Sequence, residues 1–147
     1  MKRLMTFNGV AAMRVLGFAV CLASAATQAD VVAVVSAKSE TLSLSKDQLA
    51  DIFLGRVSRL PNGMLAVPID LAEGAPLRAA FYAKVADRSP AQMKAHWSRI
   101  IFTGRGLPPK SVATSVELKK LIAANPGSIG YMDETDVDSS VRVLKSD

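Results

Sequence analysis

Strand and helix signals alternate along this chain from Val31 to Leu144, and few architectures accommodate that alternation. Val31-Val-Ala-Val-Val-Ser36 is a short run of β-branched residues and predicts a buried strand. Ser45, with Gln48 three residues later, has the capping-box pattern of a helix start. Leu49, Ile52 and Phe53 share one face of that helix, and Gly55 supplies a left-handed stop. Pro61-Asn62-Gly63 is a turn signal, followed by a predicted strand over Met64 to Ile69. Within it, Pro68 suits a strand edge or end.

Asp70 to Ala75 then reads as a loop, with Pro76 at the first position of a second helix, where its missing N–H is harmless. Leu77, Ala80, Phe81 and Val85 form the expected apolar stripe of that helix. Ser89-Pro90 repeats the start signal, and Met93, Trp97, Ile100 and Ile101 follow at helical spacing. Thr103 to Lys110 is turn-rich, with paired prolines that no helix continues through. A fourth helix is expected from about Ser115 to Ala124, burying Leu118, Leu121 and Ile122 and ending at Asn125-Pro126-Gly127. Ser128 to Met132 and Val141 to Leu144 read as closing strands on either side of an acidic turn, Asp133 to Asp138. The resulting order, strand-helix-strand-three helices-two strands, predicts an α/β domain with helices packed on a mixed sheet.

Residues 1–29 stand apart from this pattern. Lys2, Arg3 and Arg14 precede an uncharged run from Val15 to Ala26, and Thr27 and Ala29 offer a small-residue cleavage site. That order predicts a secretory signal peptide, leaving residues 30–147 as one domain. Discounting the signal lowers the formal charge from +5 to +2 and removes the single cysteine, Cys21. The basic character of the whole chain thus belongs mostly to the signal, which argues against a nucleic-acid-binding face. Without cysteine the domain needs an ordinary apolar core, and its length suits one.

The chemistry available is narrow. One histidine, His96, and no cysteine in the domain exclude a nitrogen- or sulfur-ligated zinc site. The acids between Asp133 and Asp138 lack the spacing and central glycine of a calcium loop, so no metal or cofactor is expected. His96 is the only base of its kind for a serine or threonine nucleophile, and it reads as a helix residue bordering the buried stripe. No enzyme is indicated. Anion binding is the remaining candidate: Gly74 and Ala75 place backbone N–H groups at a helix start, where partial positive charge collects. Arg78 and Arg105 are candidate countercharges, while Glu73 adds an opposing charge and Pro76 removes a donor.

Three separated segments resemble one known family. Leu49-Ala-Asp-Ile-Phe-Leu-Gly-Arg56, the stretch from Glu73-Gly74 to Phe81, and Pro126-Gly-Ser-Ile-Gly-Tyr131 are together similar to the phosphate-binding proteins of bacterial ABC transporters. The resemblance implies the type II periplasmic binding protein fold, in which two α/β lobes close over an oxyanion. It covers one lobe only, from about Ser43 to Leu144, so a single-lobe relative is expected. The family's anion loop resembles Arg-Ser-Asp-Gly-Ser-Gly-Thr. Set on it, Glu73 and Gly74 match the Asp-Gly pair, Leu71 takes the arginine position, and Ala75, Pro76 and Leu77 replace Ser-Gly-Thr.

The resemblance therefore implies a periplasmic solute-binding-like protein for phosphate or a related oxyanion. Its ligand residues would be Glu73, Gly74, Ala75, Arg78 and Arg105, and its partner an ABC permease. The stripped loop supports an alternative, an interaction or sensor module that keeps the lobe fold without tight ligand binding and meets another periplasmic or membrane partner.

Overall fold

The computed structural model of the protein describes residues 30–146; the expected signal, residues 1–29, lies outside them. In chain order the elements are β1 (Val31–Ser36), α1 (Lys46–Phe53), β2 (Val67–Leu71), α2 (Pro76–Ala86), α3 (Pro90–Phe102), β3 (Lys110–Val112), α4 (Ser115–Ala124), β4 (Ser128–Asp133) and β5 (Val141–Val143). The five strands form one mixed sheet in the order β3-β2-β4-β1-β5. β2 runs parallel to β3 and β4, while β1 runs antiparallel to β4 and β5.

Local capping explains where the helices begin. Ser45 and Ser89 each accept a bond from the amide three residues on, and the Gln48 and Gln92 side chains return the bond to the cap amides. Thr114 accepts from the Glu117 amide at the start of α4. α2 has Pro76 in its first turn but no side-chain cap, because Ala75 occupies the cap position. That one helix start lacks a side-chain acceptor, and it adjoins the loop after β2.

Helices cover both faces of the sheet. α4 packs on one face against β1, β2, β3, β4 and β5; α2 packs on the other, with α1 and α3 against it. Adjacent residues of β4 point to opposite faces and show why each is what it is. Tyr131 stacks on Phe81 of α2, with ring centroids 4.0 Å apart. A Cβ on Gly130 would collide with Ile122 Cδ1 and Leu118 Cδ2 of α4, so glycine lets these side chains settle on the strand without shifting. Gly127 is similarly confined, since its Cβ would lie 2.6 Å from the Leu65 carbonyl oxygen. The core residues, from Val31 to Leu144, lie wholly within residues 30–147.

Several expectations are revised. The second strand is Val67–Leu71, shifted from Met64–Ile69, because Leu65 bridges back to Arg59 across the Pro61-Asn62-Gly63 turn. Pro68 lies at a strand end in effect: β3 pairing begins only at Ile69, and Val67 N–H already points at Gly127 on the β4 side. Strand alternation then turns the proline's missing donor toward the side where no neighbour has begun. β3 is a strand that the sequence pattern does not announce. In α3, Met93 and Trp97 are buried as expected, but Ile101 is 51% exposed and Phe102 93%. Leu77, Ala80, Ile100 and Leu121 are only partly buried, and Tyr82, absent from the expected stripe, is fully inside.

Candidate functional site

The chemistry of this domain gathers at the end of β2, where a carboxylate sits in the core. Asp70 is 3% exposed, a position that a carboxylate holds only when paired and hydrogen-bonded. Arg78 and Tyr82, four residues apart on α2, occupy one helix face and both reach it. Arg78 Nε donates to Asp70 Oδ2 at 3.1 Å, and the Tyr82 hydroxyl donates to the same oxygen at 2.8 Å. The other oxygen, Oδ1, accepts from the Tyr131 hydroxyl of β4 and from the Leu71 amide, the latter at 2.9 Å. Leu71 N also lies 3.1 Å from Tyr131 Oη. Two donors on each oxygen leave the carboxylate saturated.

Apolar packing makes the cluster dry. Phe53 and Phe81 meet edge-on at 4.8 Å, Phe81 stacks on Tyr131, and the Arg78 guanidinium carbon lies 5.0 Å over the Tyr82 ring. Burial first, then the Asp70 charge and the hydrogen bonds to it, push both phenols well above their ordinary pKa. For Arg78, desolvation works toward a lower pKa, but the Asp70 carboxylate outweighs it and the guanidinium is held above its ordinary value. The Arg78–Asp70 ion pair ties α2 to β2, and Tyr131 adds β4 to the cluster.

The expected anion residues are distributed around this clamp. Gly74 takes a positive φ of 92° in the loop after β2, and the Glu73 and Gly74 N–H groups have no acceptor among the described residues. The Ala75 N–H is already engaged, donating to the Ala72 carbonyl at 3.2 Å. Glu73 is exposed beside Lys94, 3.6 Å away. Arg78 borders the loop, with its charge compensated by Asp70. Arg105 is not gathered here: its amide bonds Ile100 at the C-terminal end of α3. That end lies with Leu107 and Pro108, which share a cavity with Val67 and Pro68 at the start of β2. Gly74 and Arg105 therefore sit at opposite ends of the sheet.

Asp70 is the residue that sequence reasoning missed. The local sequence pattern makes it only the first residue of a loop. Arg78 and Tyr82 spaced four apart on a helix, together with a chain holding only two tyrosines, were the available signal. His96, the other candidate for chemistry, lies 2.9 Å through Nε2 from the Leu54 carbonyl and edge-on to Trp97. Among the described residues no group of three metal-ligating side chains converges.

With this geometry in view, solved structures of similar shape are informative. Neither a family model nor a curated protein matches the chain. An ABC-type phosphate transport receptor from Vibrio cholerae superposes with a TM-score of 0.61 at 16% identity, over 79% of this chain and 45% of the receptor. A protein from Clostridium perfringens, assigned as a phosphate ABC transporter substrate-binding protein and solved with phosphate bound, gives 0.64 at 19% identity, over 79% of this chain and 44% of its own. This chain therefore spans under half the length of the receptors that it resembles, and its α/β domain has the fold of one lobe of a phosphate-binding protein.

Proposed function

We propose that this chain is an exported, single-lobe protein of the solute-binding type that works as an interaction module for a membrane importer or sensor, without holding phosphate tightly by itself. The observation that carries this reading is the Asp70–Arg78 pair: the one arginine beside the β2–α2 loop already serves a buried carboxylate at 3.1 Å. Buried anion recognition depends on charge-assisted donors, and here Arg78 is compensated by Asp70 while Lys94 lies beside Glu73. Glu73 adds negative charge, and Ala75, Pro76 and Leu77 bring no hydroxyl.

A second reading, oxyanion capture for ABC-type import, is favoured by the unpaired Glu73 and Gly74 amides at an uncapped helix start. Thermal melting of residues 30–147 in phosphate, sulfate and chloride at matched ionic strength separates the two. The module reading predicts equal melting temperatures. A ligand at 100 times its dissociation constant stabilises by about 2.7 kcal/mol, so a phosphate-specific rise at millimolar concentration refutes it in favour of capture.

A further inference from the structure

The end of the domain away from the β2–α2 loop carries an exposed apolar tip set in positive charge. Phe102, the last residue of α3, is 93% exposed; Leu107, in the following loop, is 82% exposed, and Ile101 51%. Single exposed apolar residues are ordinary on soluble proteins. Three at one end, one of them a phenylalanine with almost no neighbours, are not. The segment that presents them is well fixed. Thr103 Oγ1 donates to the Arg99 carbonyl at 2.9 Å, and the Gly104 and Arg105 amides bond Ile101 and Ile100 at 3.0 and 3.1 Å. Pro108 and Pro109 then stiffen the approach to β3.

Charge sorts around this tip. From Arg88 through Val116 the sequence contains five basic side chains, Arg88, Lys94, Arg99, Arg105 and Lys110, and no carboxylate. Arg99, Arg105 and Lys110 are exposed and make no ion pair with the described residues. Asp51, on α1 near the same end, is paired to Arg56 at 3.0 Å. A phenylalanine, an isoleucine and a leucine flanked by unpaired cations match the composition of segments that lie in the interface of an anionic bilayer. There the apolar tips sit among acyl chains while Lys and Arg stems reach the headgroups.

We propose that the α3–β3 corner, led by Phe102 and Leu107 and held by Arg99, Arg105 and Lys110, docks the domain on an anionic lipid surface. Exposure selects lipid over an acidic protein: Phe102 is 93% exposed, and a bilayer receives a projecting apolar side chain without a preformed pocket. Docking there leaves the opposite end, with Gly74 and the ends of β2 and β3, facing away from the membrane. This inference does not depend on whether the β2–α2 loop binds an anion.

The test is co-sedimentation of residues 30–147, which contain the whole core, with vesicles of phosphatidylglycerol and phosphatidylcholine in equal parts, and with phosphatidylcholine alone. The variants are Phe102→Ser/Leu107→Ser and Arg99→Gln/Arg105→Gln/Lys110→Gln, each checked for an unchanged melting temperature, since all five side chains are exposed. Binding to anionic vesicles alone is expected, weakened at least about tenfold by the charge variant and also by the apolar variant, and reduced by added salt. Absence of binding at low salt overturns the proposal. So does binding that the apolar variant leaves unchanged, which is surface adsorption only. Self-association that requires Phe102, without vesicle binding, assigns the tip to a second copy and overturns it equally.

Discussion

Alkaline titration of the two tyrosines examines the Asp70 cluster without altering a residue. The chain has only Tyr82 and Tyr131, and both phenols are held above their ordinary pKa by burial and by the Asp70 carboxylate. A group whose folded pKa is raised contributes stability that is fully present below its unfolded pKa, about 10 for tyrosine, and that is lost as pH rises. Above pH 10 the unfolded chain releases phenolic protons that the folded chain keeps. Stability then falls by up to about 1.4 kcal/mol per pH unit for each tyrosine. For two, the loss reaches about 3 kcal/mol near pH 11 and about 5 near pH 12. A domain this size has roughly 5–15 kcal/mol in all, so alkaline unfolding is expected within a unit or two above pH 11.

Tyrosinate absorbance in the near ultraviolet, followed beside far-ultraviolet circular dichroism, reads both events. The expected result is no tyrosinate near pH 10 and its cooperative appearance together with loss of helix signal. Tyr82→Phe or Tyr131→Phe should halve the slope of stability against pH. Tyrosinate forming near pH 10 in a chain with its native spectrum would refute the buried cluster.

Two substitutions test the packing that holds the site together. Tyr131→Phe removes one donor to a buried carboxylate, and hydrogen bonds to charged groups contribute about 1.5–3 kcal/mol; urea denaturation should show a loss in that range, and a change below about 0.5 kcal/mol contradicts the assigned contact. Gly127→Ala forces a Cβ to 2.6 Å from the Leu65 carbonyl, so a loss of about 1–3 kcal/mol is expected, and an unchanged denaturation midpoint refutes the close approach.

How much of this was legible in the sequence depended on how local the cause was. Helix starts were readable because Ser45, Ser89 and Pro76 act within one turn of themselves. The turn at Pro61 and the buried β1 run were readable for the same reason. β3 was not: Lys110-Ser-Val112 is a strand only because Ile69–Leu71 lies beside it. Likewise, no local signal makes Asp70 a core residue. Its burial depends on donors from α2 and β4, the latter 61 residues away in sequence. The family-like segment Pro126 to Tyr131 is accounted for by packing, since Gly127 and Gly130 admit a neighbouring backbone and α4, and Tyr131 serves Asp70. Helical spacing also misplaced Ile101, because α3 meets the core over its first two turns and its last turn projects from the domain.

Calorimetric titration of inorganic phosphate into residues 30–147, with Asp70→Asn alongside, tests whether Asp70 compensates Arg78 from within the lobe. No binding heat is expected for the parent protein at millimolar phosphate, and measurable binding is expected for the folded Asp70→Asn protein, in which no carboxylate compensates the Arg78 charge. Saturation of the parent in the micromolar range would contradict this expectation.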